Sequence, residues 1–333
     1  MVQSVPLLNM DRMLKRPVVG CLKGLAIGDA IGKQTETLSY EGVRRWYPDG
    51  IRGFEGTPGT PIPRYVGNTK REWRIGETTD DTESTIAVAR AILHDGDVRH
   101  VSVGRELLKC RKSVHPVVKS LWEFHEAGDP ARVTQKHDGC GAAIRVAPVG
   151  ILHRSNRLEE IIAAAREASI STHGGALAIA AAAATASAIS AAIDGASPPE
   201  IIGLARRAAA QAERQQGGST DAIFARAIHA IHADLQQYPD IQPAEVAARY
   251  FPTNPLTIVP LAIGLGTIST SADAAILLAT NTGGDSDSVA SIAGAIAGAR
   301  WPETVNEEWY AVVEAINGHD LVSLGWALGD LRR

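Results

Sequence analysis

The 333-residue chain carries 33 Lys and Arg against 37 Asp and Glu, a net charge of −4 with both signs mixed along its length. No basic block exceeds a few residues, which argues against a phosphate-tracking surface for nucleic acid. Hydrophobic residues make up 45% and aromatics only 5%, so a large core of small side chains and close helix packing is expected.

Length alone would allow two domains, but no composition break, linker or fixed-period repeat divides the chain, and a single domain over 1–333 is expected. The segment before Pro17 has a short apolar stretch broken by Asn9 and Asp11, too short for a signal peptide. Cys21, Cys110 and Cys140 are odd in number and far apart. They match no C-x-x-C spacing and read as free thiols of a cytoplasmic protein.

Apolar positions at helical spacing begin at residues 17 to 31. Residues 32–76 are dense in Gly, Pro, Trp and Tyr and read as one long loop. Within its 43–75 portion, Trp46, Tyr47, Tyr65 and Trp73 suit either a lid or a structural aromatic cluster. Helical patterns then recur at 82–95, 99–110, 114–127, 157–169, 174–194, 198–214, 219–235, 243–251, 257–267, 271–280, 287–299 and 306–317. The charge-free run at 176–193 is mostly alanine, barely long enough to cross a bilayer, and reads as a buried central helix. Strand-like alternation is nearly absent. The fold class expected is all-α.

Acids stand where two of these helices begin. Thr79, Asp80 and Asp81 precede one, and Asp285, Ser286, Asp287 and Ser288 follow Gly283-Gly284 at another. Acids at a helix start cap free amides and complement the dipole. Capping needs one acceptor, however, and each stretch offers several hard oxygens, a set suited to magnesium, manganese or calcium. Two unconnected caps and one shared metal site both remain open on spacing alone. The glycine pair permits a sharp turn and a close backbone approach. An EF-hand is excluded, because its twelfth position falls at Ile296 instead of Glu.

Glu36 follows the first helix, and alone it would be a solvated loop acid. Residues 137–145 (HDGCGAAIR) could present backbone amides to an anion, with Arg145 adding charge. Ser171, Thr172, His173 and Gly174 lie where the alanine-rich helix begins and would cap it. His173 there is a structural hydrogen-bond partner or a neutral group of a site.

Taken in order, GLAIGDAIG with Glu36, TTDDTES, GCGAAIRVAPVG, STHGGALAIAAA and NTGGDSDSVASIAGAIAGA resemble the ADP-ribosylglycohydrolase family, which includes the dinitrogenase reductase-activating glycohydrolase. The matching stretches span residues 20–299. The resemblance implies a single-domain, roughly orthogonal all-α bundle with two magnesium or manganese ions in a cleft. It implies Thr79, Asp80, Asp81, Asp285, Asp287 and Ser288 as metal ligands, the last being Thr in many relatives. It further implies Glu36, Asp80 and Asp285 in the chemistry, and Gly139, Cys140, Gly141, His173, Gly283 and Gly284 around the substrate. Asp29 would support this shell by hydrogen bonding.

The function implied is hydrolysis of the N-glycosidic bond between ADP-ribose and a guanidinium or similar acceptor. The partner is then an ADP-ribosylated protein or a small ADP-ribosyl or N-ribosyl substrate, with no nucleic acid or membrane surface. Two alternatives share the site: an N-ribosyl hydrolase of a nucleoside or nucleotide metabolite, and a non-catalytic ADP-ribose-binding protein. The second would be expected to have lost acids that this chain retains.

Overall fold

The computed structural model of the chain describes residues 7–68, 71–112, 129, 131–134, 136–218, 221–238 and 240–333. The helices expected at 114–127 and at the very start of 219–235 fall outside these. Among the described residues there is no strand, only an isolated bridge between Pro61 and Arg74. The helices are α1 (Leu7–Gly32), α2 (Tyr40–Trp46), α3 (Asp80–Asp95), α4 (His100–Leu107) and α5 (Ala147–Leu152). They continue as α6 (Leu158–Ser169), α7 (Ala176–Ile193), α8 (Pro198–Gln215), α9 (Ile223–Gln237) and α10 (Pro243–Tyr250). Last come α11 (Pro255–Ile268), α12 (Ala272–Thr282), α13 (Ser286–Arg300), α14 (Glu307–Asn317) and α15 (Leu321–Asp330).

The first helix is longer than its periodicity suggests, running from Leu7 through Pro17. The loop at 32–76 is not wholly irregular. Ser39 accepts the Gly42 amide and starts α2, which ends just before Pro48. Seven residues crowded by helix breakers give too little periodicity to read. The helices α5 and α15 were also illegible, the first for its six residues, the second because Gly325 and Gly329 dilute its apolar stripe.

Two central helices explain the alanine and glycine content. In α7 every residue from Ala178 to Ala192 is buried, so its lack of charge reflects a core position. The helices α1 and α13 run antiparallel with their backbones in contact. A Cβ on Gly24 would lie 2.1 Å from the Gly294 carbonyl oxygen, and one on Gly28 would lie 2.1 Å from that of Ala290. Any larger residue would push the helices apart. This close approach carries the C-terminal end of α1, with Asp29, Lys33 and Glu36, up against the start of α13. One buried hydrophobic cluster takes in side chains from Val18 to Leu328. A small separate one, Ile62, Tyr65, Trp73 and Ile75, lies in the long loop.

Candidate metal centre

The two acidic helix starts face one another across the end of α1. Thr79 caps α3, its side chain accepting the Asp81 amide at 3.2 Å. Asp29, fully buried, accepts the Thr79 amide at 2.9 Å, the Thr82 amide at 3.1 Å and the Thr82 hydroxyl at 2.5 Å. Asp29 thus holds α3 in place, the supporting role expected from sequence. The Thr79, Asp81 and Thr82 amides that open α3 are met without the Asp81 carboxylate. Its Oδ2 is buried with no hydrogen-bond partner.

At the second start, Gly283 and Gly284 adopt φ of +80° and +70°, which side chains other than glycine rarely tolerate. The close approach they permit is to protein: a Cβ on Gly283 would meet the Leu38 carbonyl at 2.4 Å, and one on Gly284 that of Pro252 at 2.5 Å. The Gly284 amide donates to Leu38 O at 2.8 Å and the Asp285 amide to Pro252 O at 2.9 Å. This pinned turn delivers Asp285 and Asp287. Ligand oxygens of Glu36, Asp285 and Asp287 lie within 4.8 Å of one another. Ser288 is buried beside them, its amide donating to Asp287 Oδ1 at 3.1 Å.

Electrostatics marks the same spot. Burial, then the Asp287, Asp29, Asp80 and Asp285 carboxylates, push Asp81 well above the usual carboxylate range. Burial and Glu36 do the same to Asp287, with Lys33 opposing them. Buried carboxylates that repel one another are costly. An orphaned buried oxygen among such oxygens is what a hard dication would satisfy. The residues present therefore fit divalent ions.

The loop at 137–145 approaches this group from the side. The Cys140 thiol donates to Asp285 Oδ2 at 3.5 Å. Burial, then the neighbouring Asp285, Asp81 and Asp287, raise its pKa well above that of an ordinary thiol. All three cysteines are free. Gly139 and Gly141 pack on the His173 ring, where a Cβ on Gly141 would fall 2.6 Å from Cε1. His173 Nδ1 lies 2.7 Å from Thr172 Oγ1.

Two expectations are corrected. Arg145 adds no charge to an anion site: it is buried, and its guanidinium donates to Ala168 O at 2.8 Å, Ser169 O at 3.2 Å and Thr172 Oγ1 at 2.7 Å. Nor do residues 171–174 cap α7. Gly175 is its N-cap residue and Asp138 accepts the Leu177 amide at 2.9 Å, so the acceptor comes from the loop nearly forty positions earlier.

Sequence reasoning passed over one residue of the site. Lys33 Nζ pairs with Glu36 and stands 3.6 Å from Asp287 Oδ2. Its position three before Glu36, one helical turn away, was the available signal.

Among the described residues the fold is all-helical, and its helix ends gather buried, mutually repelling carboxylates into a possible metal-binding group. The chain's family follows from comparison. The family model described as ADP-ribosylglycohydrolase matches residues 10–332. An uncharacterized protein of Archaeoglobus fulgidus is 32% identical over 291 residues, covering 84% of this chain and 86% of its own. The uncharacterized protein YegU of Escherichia coli K12 is 27% identical over 338 residues, covering 95% and 97%. A solved structure described as an ADP-ribosylglycohydrolase-related protein complex superposes with a TM-score of 0.70 at 21% identity, covering 97% of this chain and all of that one. The chain belongs to the ADP-ribosylglycohydrolase family, and its fold is of that all-α type. Membership supports a hydrolase of ADP-ribosylglycohydrolase type, in a family that is generally metal-dependent.

Proposed function

We propose that the protein hydrolyses the N-glycosidic bond of a mono-ADP-ribosylated substrate, with arginine or a similar base as the acceptor, and releases ADP-ribose. The observation that carries this reading is the gathering of Glu36, Asp285 and Asp287 within 4.8 Å, with Asp81, whose Oδ2 is buried and unpartnered, close enough to feel the Asp287 and Asp285 charges, in a chain of this family.

Thr79, Asp80, Asp81, Asp285, Asp287 and Ser288 would hold two ions of the magnesium or manganese type. When bound, the ions supply Lewis acidity at the ribose hydroxyls and at a water molecule.

The chain's own groups do the rest. Gly139, Cys140 and Gly141 line the approach to Asp285 and would receive the diphosphate on their amides. His173, packed under them, fixes that loop. Glu36 is only partly buried and is the acid placed to move a proton at the leaving nitrogen or the water. The carboxylates also favour the positive charge that develops on the ribosyl carbon.

The test is mass-spectrometric product analysis with a mono-ADP-ribosylated arginine peptide, in magnesium or manganese and then in chelator. ADP-ribose is expected only with metal, and Asp285→Ala is expected to lower its release by about a thousandfold or more while remaining folded. Equal release in chelator, or an active Asp285→Ala variant, would overturn the reading. No release from a metal-loaded protein would transfer it to small N-ribosides.

A further inference from the structure

We propose that Lys33 is a positioning residue: a tethered internal cation that holds Glu36 in place and competes with bound dications for Asp287. The inference rests on the metal-dependent reading above, and it assigns a role to a residue outside the ligand set.

Lys33 lies in the turn that leaves α1, its amide donating to Asp29 O at 3.0 Å. Only 6% of it is exposed, an unusual state for a lysine, since a buried ammonium must be paired. The pairing here is threefold. Nζ forms an ion pair with Glu36, stands 3.6 Å from Asp287 Oδ2, and lies 4.3 Å from the centre of the Trp73 ring. Tyr65 closes the other side, its ring 5.8 Å from Nζ and its hydroxyl donating to Glu36 Oε2 at 3.2 Å. A cation over an aromatic face between carboxylates is held by charge and by the ring quadrupole together.

The box is itself anchored. Tyr65 and Trp73 belong to the small loop core with Ile62 and Ile75. Arg64 straps that core to the turn, donating to Gln34 O at 2.9 Å, Lys33 O at 3.2 Å and Glu36 O at 2.5 Å. This answers what the loop aromatics are for. Tyr65 and Trp73 form a structural wall that fixes the ammonium and, through it, Glu36.

Two consequences oppose one another. The Glu36 carboxylate is held at one edge of the metal group, where proton transfer requires a fixed geometry. The same positive charge, so close to Asp287, repels a dication bound there and competes for the carboxylate oxygen. Lys33 therefore gives up metal affinity for placement of Glu36. A residue that merely filled space would have neither effect.

The experiment compares wild type, Lys33→Met and Lys33→Arg by manganese titration, with free ion read by electron paramagnetic resonance, and by turnover of the peptide substrate. Lys33→Met is expected to bind manganese on the order of tenfold more tightly, and to lose about a hundredfold in kcat with KM little changed. Lys33→Arg keeps the charge and the aromatic contact. It is expected to restore near-wild-type manganese affinity and part of kcat. Lys33→Gln repeats the titration should Lys33→Met fail to fold. Unchanged or weaker manganese binding in a folded neutral variant would overturn the role of Lys33 alone. Absence of manganese binding by wild type would overturn the metal-dependent reading and this inference with it.

Discussion

The two acidic helix starts look alike in sequence and differ in how the fold uses them. At α3 three of the opening amides are already satisfied: Thr79 takes that of Asp81, and Asp29 takes those of Thr79 and Thr82. Its Asp81 carboxylate is surplus to capping and keeps an oxygen without a partner. At α13 the N-cap residue is Asp285, whose side chain makes no capping bond. It faces Cys140 and the other acids instead. An acid at a helix start has an ordinary explanation only if an amide needs it. Here the amides of one start are met elsewhere, and the cap of the other points away.

The comparison breaks most visibly at Asp29. A fully buried carboxylate with bonds to two amides and a hydroxyl should cost about 3–5 kcal/mol when truncated to alanine. Urea unfolding of Asp29→Ala checks this, in metal and in chelator. The loss should be of similar size in both, because Asp29 fixes α3 whether or not ions are present. A loss seen only with metal would move Asp29 into the ligand set.

How much of this was legible depended on range. The acidic stretches, the glycine pair and the alanine-rich core helix declare themselves within a few residues, because helical period and turn chemistry are local. The resemblance of ordered motifs carried the fold. The partners were not legible. That Asp138 rather than residues 171–174 caps α7 depends on a contact across nearly forty positions. That Arg145 is consumed by three oxygens near the end of α6 depends on where the chain returns. The glycines of α1 at 20, 24, 28 and 32 were a visible signal of close packing, but their partner helix lay over 250 residues away. Lys33 was hidden for another reason: a lysine near a glutamate on a helix end is ordinarily a solvated surface pair.

A smaller effect sharpens the reading of Asp81 and Asp287. Both have pKa values raised by burial and neighbouring carboxylates, so the folded chain holds their protons more tightly than the unfolded chain does. Their contribution is fully present below the ordinary Asp pKa of about 3.9 and is lost as pH rises through the folded values. A divalent ion bound at the proposed site would have to displace those protons. The stabilisation gained on adding metal should therefore grow with pH, by up to roughly 1.4 kcal/mol per pH unit for each proton displaced. Calorimetry at about pH 5.5 and about pH 8, on either side of neutrality, measures the difference as a larger metal-induced rise in melting temperature at the higher pH. A metal increment that does not change with pH would mean that Asp81 and Asp287 are not where the ions bind.

The smallest effect decides what the Thr79 hydroxyl does. As an N-cap it accepts the Asp81 amide at 3.2 Å, and losing it in Thr79→Ala should cost about 1 kcal/mol. Thr79→Ser keeps the oxygen and should recover most of that. If capping is its whole role, the alanine variant loses equal stability in chelator and in metal, and manganese affinity stays at the wild-type value. If the same oxygen also reaches an ion, the loss grows with metal, and affinity falls in Thr79→Ala but not in Thr79→Ser. The second pattern is expected, because Thr79 is completely buried near Asp81, whose Oδ2 still lacks a hydrogen-bond partner. A buried hydroxyl oxygen has a second lone pair to offer, and capping uses only one.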